Sequence, residues 1–348
     1  MITIKEIAAE AGVSVMTVSN VINNNHARVS RETEKRVRDI MEKHHYVPNM
    51  AARSLISKAS HIIALLLPIW YETPDSMLLD PYVGQIAGML ESVLREHQYY
   101  VMICSFHTAE EVLQIQRTWQ IDGSILIVPH EDKVSYKLIR RTESPLVVLD
   151  RHFDDLPMMS VCLDDWKGGY TATRYLLEKG HRRIGFAAPA IGTSYIIDER
   201  FRGYQDALRE YGLTENPDWV FGDATHQRGG ERVGAAIAGM AERPTAMVAT
   251  EDLIACGIIK GCQAHGLRVP DDLSVIGFDD SMPARLITPA LTTIGQDVRE
   301  KARCAAKVLL RAIEEKDERS AHVVLDVTLV ERESVAAAGM PCSDATKE

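Results

Sequence analysis

The sequence has no hydrophobic run long enough to cross a membrane. Its longest apolar stretch covers residues 62–70, is nine residues long and contains Pro68, whereas a bilayer requires about 20. The N-terminal segment contains Lys5, Glu6 and Glu10, so it lacks the continuous apolar core of a secretory signal. These absences argue against a membrane partner and against secretion, and they predict a cytoplasmic protein.

Cysteine is scarce, and the motifs of common enzymes are missing. The six cysteines form no CxxC pair and no grouping with histidine, which predicts reduced core thiols rather than a disulfide framework or a metal site. No GxSxG, GxxxxGK[ST] or HExxH motif occurs, and no GxGxxG follows a strand-like run. His181, in GHRRIGF, is expected to pack at the entry of a strand rather than to act as a base. We therefore predict no enzyme activity, no cofactor and no metal.

The charge is unevenly distributed along the chain. The 348 residues include 49 acidic and 39 basic side chains, and the net charge of −10 by itself argues against a nucleic-acid partner. Residues 1–60, however, carry nine basic and six acidic side chains, a net charge of +3, which leaves −13 on the other 288. Such an asymmetry indicates a nucleic-acid-binding module attached to an acidic body.

The first sixty residues contain signals for short helices. Thr3 and Glu6 have the spacing of a capping box, in which each side chain satisfies the backbone N–H of the other at a helix start. Gly12 is placed to end this helix in a left-handed conformation. Ser14 is placed to cap the next helix, and a third helix is predicted to begin at Ser30.

The second helix has one apolar and one polar face. Val18, Val21 and Ile22 recur at helical spacing and are predicted to face inward. The outer face then carries Val15, Met16, Thr17, Ser19, Asn20 and Asn23. Two short helices joined by a tight turn, with a third across them, are typical of a helix-turn-helix DNA-binding unit. The pattern alone also allows a small three-helix protein-interaction domain.

From residue 61 onward, apolar runs alternate with amphipathic segments. The predicted strands are residues 62–67, 101–104, 124–128, 146–149, 184–187, 246–249, 274–278 and 323–330. The amphipathic segments include residues 83–97, 170–179, 201–211, 229–240 and 253–265. This alternation predicts parallel sheets covered by helices on both faces. Because about 280 residues exceed one such sheet, we predict two α/β lobes with a cleft between them.

Several segments together resemble one family. The stretch TIKEIAAEAGVSVMTVSNVIN is followed by VSRETEKRVRDIMEKHHYVPNMAARSL and later by GHRRIGF, ERFRGYQDAL, ATEDLIACG, SVIGFDD and PALTTIGQD. In this order and spacing they resemble the LacI-type repressors of bacteria, the lactose, galactose and purine repressor family, over nearly the whole chain. The resemblance implies a multidomain protein with an all-α helix-turn-helix domain and a two-lobed α/β domain like the periplasmic binding proteins.

The resemblance also implies a domain division and a function. We expect a DNA-binding domain at residues 1–47, a hinge helix and linker at 48–60, an effector-binding and dimerisation domain at 61–335 and a polar tail at 336–348. The function implied is that of a nucleoid-associated transcriptional repressor, controlled by a small molecule. Because the tail has no heptad pattern, we expect a homodimer on double-stranded operator DNA rather than a tetramer. An extracytoplasmic solute-binding protein, which shares the two-lobed fold, would lack the helix-turn-helix and carry a signal peptide.

DNA contacts are implied by matching positions. The positions that touch phosphates in the family match Thr3, Ser14, Thr33 and Tyr46. Those that read bases match Val15, Met16, Ser19 and Asn20, with Thr17 and Asn23 on the same face. Many members have arginine where this chain has Asn20, and asparagine favours adenine whereas arginine favours guanine.

A hinge helix is implied by the segment NMAARSL. It covers residues 49–55, with Asn49, Ala52 and Leu55 matching positions that meet DNA. Leu55 matches the apolar wedge that enters the minor groove and kinks the duplex. The alternative for Leu55 is an ordinary core leucine, but its neighbours Arg53 and Ser54 are polar.

Effector contacts are implied in the two-lobed domain. Arg200 and Asp279 match an arginine and a carboxylate that bind the effector, although Arg200 could also be a surface side chain. Glu251 replaces a usual asparagine, and Tyr82 is either a wall of the site or a packing residue. Trp70 could offer a stacking face, because Ala224 stands where many members have an aromatic. Carboxylates with few aromatics favour a sugar, a sugar derivative or a polyol over a purine-like ring.

Overall fold

The computed structural model describes residues 2–22, 26–46, 59–69, 77–128, 133–189, 191–192, 194–315 and 320–339. The chain divides into two compact units, Met1–His61 and Ile62–Glu348. None of the helices in the described ranges combines the length and the apolar character needed to span a membrane.

The first unit contains the helices α1 (Ile4–Ala11), α2 (Val15–Ile22) and α3 (Arg31–Lys43), with a short 3-10 helix at His26–Arg28. The predicted capping box is confirmed, since the Glu6 N–H donates to Thr3 Oγ1 at 3.3 Å and the Thr3 N–H donates to Glu6 Oε2 at 2.8 Å. Gly12 ends α1 with a φ of 65°, and Ser14 Oγ accepts from the Thr17 N–H at 3.1 Å.

A small apolar core holds these three helices together. Ile7, Val18 and Val37, one from each helix, are fully buried. Glu10 of α1 accepts hydrogen bonds from Lys43 and His44 at the end of α3, each at 2.8 Å. The helix-turn-helix prediction is therefore confirmed at the level of the fold.

The described residues of the second unit form two six-stranded sheets. The strands are β1 (Ile62–Pro68), β2 (Tyr100–Phe106), β3 (Gly123–Ile127), β4 (Leu146–Leu149), β5 (Met159–Leu163), β6 (Ile184–Ala187), β7 (Val220–Phe221), β8 (Ala246–Ala249), β9 (Ser274–Asp279), β10 (Thr292–Gln296), β11 (Ala321–Leu325) and β12 (Val327–Val330). The order is β11-β5-β4-β3-β1-β2 in lobe 1 and β12-β10-β9-β8-β6-β7 in lobe 2. All neighbours are parallel except β10 and β12.

Helices cover both faces of each sheet. They are α4 (Pro81–Glu96), α5 (Ala109–Trp119), α6 (Lys133–Arg141), α7 (Asp165–Glu178), α8 (Tyr195–Glu210), α9 (His226–Gly239), α10 (Asp252–Ala264), α11 (Met282–Leu286) and α12 (Val298–Glu315), with 3-10 helices at Met77–Leu79 and Pro217–Trp219. Each sheet has one buried apolar cluster on either side. Successive residues of β1 lie on opposite faces of the sheet, since Leu65 belongs to one cluster of lobe 1 and Leu66 to the other. The predicted pair of doubly wound lobes is confirmed.

The described chain passes between the lobes at three aspartates. Asp164 lies between β5 and α7, Asp297 between β10 and α12, and Asp326 between β11 and β12. Each carboxylate accepts a backbone N–H from the element that follows it, at 2.9 Å, 2.9 Å and 2.8 Å respectively. Lys167 also bridges to Asp326 at 2.7 Å, so two of the crossovers are tied to each other.

One predicted strand is wrong. The apolar run at residues 323–330 was expected to be a single strand, but it forms the end of β11 and the whole of β12, which belong to different sheets. The break falls at Asp326, a charged residue within the run. The expectation of free core thiols agrees with the structure, where Cys104, Cys162, Cys256 and Cys262 are free and buried.

Candidate functional site

Helix α2 exposes part of the face that the sequence predicted. The side chains of Val15 and Met16 are 45% and 66% exposed. Thr17 and Asn20 are partly exposed. Ser19 is only 7% exposed, so its predicted place on the outer face is wrong. Ser19 directly follows the buried Val18 and therefore borders the apolar stripe.

Three of the four predicted phosphate-contacting residues lie at the starts of helices. Thr3 is the cap of α1, and its hydroxyl donates to Glu6 Oε2 at 2.9 Å. Ser14 precedes α2, and Thr33 lies in the first turn of α3, where its hydroxyl accepts from Ser30 at 2.9 Å. Helix N-termini favour bound phosphate groups because their backbone N–H groups are unsatisfied. Tyr46 instead packs against the core of the unit, and this burial raises its pKa.

Five predicted site residues lie outside the described residues. They are Asn23, Asn49, Ala52, Leu55 and Trp70.

Close packing of α7 on α8 places Arg200 in lobe 2. A Cβ on Gly169 would lie 2.0 Å from the carbonyl oxygen of Arg200, and a Cβ on Gly203 would lie 2.1 Å from that of Trp166. Only glycine permits this approach of two helix backbones. As a result, Arg200 of α8 meets Asp165 at the start of α7.

Arg200 is buried, with 6% of its surface exposed. Its Nε and Nη2 atoms lie 2.9 Å and 2.8 Å from Asp165 Oδ1, and its Nη1 donates to the Thr250 carbonyl at 2.6 Å. The guanidinium also lies over the ring of Phe278, 3.4 Å from its centroid. A guanidinium has five N–H groups, so two remain to serve the oxygens of a ligand. The alternative of a surface arginine is wrong.

Three polar side chains lie at the carboxyl ends of neighbouring strands in lobe 2. Glu251 follows β8 after one residue, Asp279 ends β9, and Gln296 ends β10. Ligands of parallel α/β sheets bind beyond these strand ends. Gln296 Nε2 donates to Asp279 Oδ1 at 2.7 Å.

The carboxylates of this region raise one another's pKa values. Burial, followed by the charge of Asp80, raises the pKa of Glu251 to about 7. Burial also raises the pKa of Asp279 well above its usual range, helped by Asp252 and Glu251 and opposed by the charge of Arg200. Asp80 caps α4 in lobe 1, where it accepts from the Val83 N–H at 3.0 Å. Side chains of both lobes therefore contribute to one acidic cleft.

Tyr82, also on α4, is engaged in a buried network in lobe 1. Its hydroxyl donates to Asp150 Oδ2 at 2.5 Å and accepts from Lys301 Nζ at 3.1 Å. Lys301 is fully buried, and its ammonium lies 2.6 Å from Asp150 Oδ1. The Tyr82 hydroxyl thus has one donor and one acceptor contact already, which leaves its ring as the part that can line the cleft.

Gln296 and four other polar residues of this region were absent from the sequence-based prediction. Asp150 directly follows β4, much as Asp279 stands at the end of β9, so a polar residue at a strand end was a usable signal. Lys301 interrupts the buried stripe of α12 between Val298 and Ala305, and this charge within an apolar stripe was a usable signal. Asp165 and Asp252 are buried in the first turns of their helices, where an acidic residue is ordinary, so no local signal singles them out.

Two acidic residues of lobe 2, Asp280 and Asp252, have structural roles. Asp280 binds Arg285 at 2.7 Å and also binds Arg332, in agreement with the structural role expected for it. Asp252 accepts from Thr293 at 2.6 Å and from the hydroxyl of Ser281 at 2.8 Å. Among the described residues, no three His, Cys, Asp or Glu side chains are grouped so as to hold a metal ion.

Replacing Glu251 by glutamine should stabilise the protein in a pH-dependent way. The pKa of Glu251 is raised from 4.5 to about 7, so its ionisation opposes folding as the pH rises through that range. The stability gained by Glu251→Gln should be near zero at pH 4 and reach about 1–2 kcal/mol at pH 8, after allowance for partial exposure. Urea unfolding at both pH values measures it, with the exposed Glu96→Gln as control. A gain that is equal at both pH values would contradict the assignment.

A helix-turn-helix unit joined to two α/β lobes with a shared polar cleft defines a class of protein, the ligand-responsive DNA-binding regulator. Residues 3–49 match the family model of bacterial regulatory proteins, lacI family, and residues 173–335 match that of a periplasmic binding protein-like domain. The chain belongs to the LacI family and is a transcription regulator of that kind. The resemblance stated from the sequence is confirmed.

Individual relatives match along nearly the whole chain. The ribose operon repressor of Haemophilus influenzae is 32% identical, over 96% of this chain and 99% of its own length. The HTH-type transcriptional repressor PurR of Pectobacterium carotovorum is 35% identical, over 97% of each chain. The structure of the lac repressor dimer bound to operator and the anti-inducer ONPF has the same fold, with a TM-score of 0.83 at 24% identity, over 97% of this chain and 99% of that one.

Proposed function

We propose that this regulator is a repressor that binds operator DNA as a homodimer and responds to a small hydroxyl-rich effector. The observation that carries the effector assignment is the buried Arg200, which keeps two N–H groups available near the carboxylates of Glu251 and Asp279. Guanidinium donors and carboxylate acceptors together match the hydroxyl groups of a sugar or a polyol.

On the DNA side, α2 reads base edges in the major groove. The exposed Val15 and Met16 suit the methyl groups of thymine, and Asn20 suits adenine. Thr3, Ser14, Thr33 and Tyr46 contact phosphates and set the register. Asn49, Ala52 and Leu55 belong to the hinge, with Leu55 as the minor-groove wedge. The proposal leaves out Ser19, which is buried, while Thr17 and Asn23 flank the reading face.

On the effector side, the proposed ligands are Arg200, Glu251 and Asp279, with Tyr82 and Trp70 as walls. Ala224 is 1% exposed and has no ring on which a base could stack. A sugar also agrees with the relative named as a ribose operon repressor. The effector acts by favouring one arrangement of the lobes, and the free energy of such coupling is typically about 1–3 kcal/mol.

The remaining expectations belong to the same proposal. The chain acts in the cytoplasm on the nucleoid and has no enzyme activity. It divides into residues 1–47, 48–60, 61–335 and 336–348 as the DNA-binding domain, the hinge and linker, the effector-binding domain and the tail. Because the net charge is +3 in the first sixty residues and −13 in the rest, the first sixty residues carry the salt dependence of operator binding.

Selection of bound fragments from random duplex DNA tests the proposal. It is performed with and without sugars, polyols and nucleobases, and it reports the half-site, its spacing and the sign of the effector response. We expect an inverted pair of half-sites, with an adenine at the position that Asn20 reads, and a response to at least one carbohydrate. Isothermal titration then measures binding of the same compounds. Tight binding of a nucleobase, with no carbohydrate bound, would contradict the effector assignment.

A further inference from the structure

A buried ammonium connects the two lobes of the effector-binding domain. Lys301 of α12 has no exposed surface. Its Nζ contacts Asp150 Oδ1 at 2.6 Å, Gln296 Oε1 at 2.8 Å and Tyr82 Oη at 3.1 Å. These contacts use all three donors of the ammonium group. Tyr82 and Asp150 belong to lobe 1, whereas Gln296 ends a strand of lobe 2, so Lys301 contacts both lobes.

Gln296 continues this network to the proposed effector ligand. Its carbonyl oxygen accepts from Lys301, and its Nε2 donates to Asp279 Oδ1 at 2.7 Å. An unbroken chain of hydrogen bonds therefore runs from Asp150 in lobe 1 through Lys301 and Gln296 to Asp279 in lobe 2. The bonds of Lys301 in this chain involve its ammonium charge, and such bonds are stronger than neutral ones.

The bond between Lys301 and Gln296 spans the crossover at Asp297. Gln296 ends β10 in lobe 2 and Lys301 lies in the first turns of α12 in lobe 1, so the two residues lie on opposite sides of Asp297. Rotation of one lobe against the other at this crossover would pull the glutamine away from the ammonium. It would also leave a buried charge with one hydrogen bond fewer, which is unfavourable.

We propose that Lys301, Gln296 and Asp279 form an internal latch that holds the lobes in one arrangement before the effector binds. The latch depends on the proposed function, because Asp279 is there assigned to the effector. An effector that engages Asp279 and rotates the lobes must separate Gln296 from Lys301, so the latch sets part of the free energy that the effector has to supply. Lys301 and Gln296 act through Asp279 and are positioning residues.

Two variants of the full chain break the latch at different bonds. Gln296→Met keeps the length of the side chain and removes both of its hydrogen bonds. The pair Asp150→Asn with Lys301→Met removes the ammonium together with the carboxylate that would otherwise be left buried without it. Gln114→Met, on the exposed side of α5, is the matched control.

The first measurement is hydrogen exchange of the effector-free protein. In both latch variants we expect the backbone amides of β10 and of the first turns of α12 to exchange about tenfold faster, which corresponds to the loss of one charge-assisted hydrogen bond. Exchange in the strands far from the crossover should increase less, and Gln114→Met should leave both the exchange and the urea midpoint as in the wild type. Unchanged exchange at the crossover would overturn the latch, as would equally faster exchange throughout both lobes.

The second measurement is the ratio of two operator affinities, one without and one with the effector. The effector used is the compound that isothermal titration identifies. In both latch variants the effector-free affinity should move about tenfold toward the effector-bound value of the wild type, so the ratio shrinks by the same factor. A ratio equal to that of the wild type would overturn the latch. If no candidate effector changes operator binding by the wild type, the effector assignment itself fails, and hydrogen exchange still decides whether the latch exists.

Discussion

Arg200→Met should destabilise the effector-binding domain by about 3–5 kcal/mol, because it leaves the buried carboxylate of Asp165 without its partner. Arg200 and Asp165 are only 8% and 4% exposed as side chains, with their charged groups 2.8 Å apart. Urea unfolding at pH 7 measures the loss. Binding of the effector should disappear as well, because the guanidinium supplies its donors in the proposed site.

The double variant Asp165→Asn with Arg200→Met shows how much of the lost stability comes from the unpaired carboxylate and how much from the other contacts of Arg200. It removes the unpaired carboxylate, so it should recover at least half of the stability lost in the single variant, while effector binding stays absent.

Burial already raises the pKa of Asp165, and removal of Arg200 raises it further. Since a raised pKa costs stability as the pH increases, the single variant should be closer to the wild type at pH 5 than at pH 8. A single variant that loses more at pH 5 would contradict the assignment.

Asn20→Arg should change which base the recognition helix prefers at one position of each half-site. Asparagine pairs with the N6 and N7 atoms of adenine, whereas arginine pairs with the O6 and N7 atoms of guanine, and each pairing contributes about 1–3 kcal/mol of discrimination. The preference should therefore reverse, from roughly 10-fold to 100-fold for adenine to a similar factor for guanine at each half-site. Fluorescence anisotropy measures it, with the selected operator and with the same operator carrying guanine at that position.

A second substitution distinguishes base reading from a general increase in affinity. Asn20→Ala should lose the preference for adenine without gaining one for guanine. An added positive charge by itself would strengthen binding to both operators equally and would steepen the salt dependence. If Asn20→Arg does only that, Asn20 is not a base-reading residue.

The sequence by itself determined the features that depend on neighbouring residues. The start of α1 follows from Thr3 and Glu6, and its end follows from Gly12, because capping involves groups only a few positions apart. The strands β4, β6 and β8 have the bounds expected from their apolar runs, since a strand buried on both faces is continuously apolar. Asp279 was implied as a site residue by the family resemblance, and its place at the end of a parallel strand agrees with a ligand site at that edge of the sheet.

Only the tertiary structure decided which distant groups meet. The run at residues 323–330 is apolar except for Asp326 and Thr328, so its local pattern does not show that β11 and β12 join different lobes. Ser19 belongs to a polar residue type, yet packing of the three helices buries it. The pairing of Arg200 with Asp165 and the bridge from Lys301 to Gln296 and Asp150 arise where helices and strand ends of the folded chain converge. Such contacts depend on three-dimensional packing, which the spacing of residues along a single chain does not encode locally.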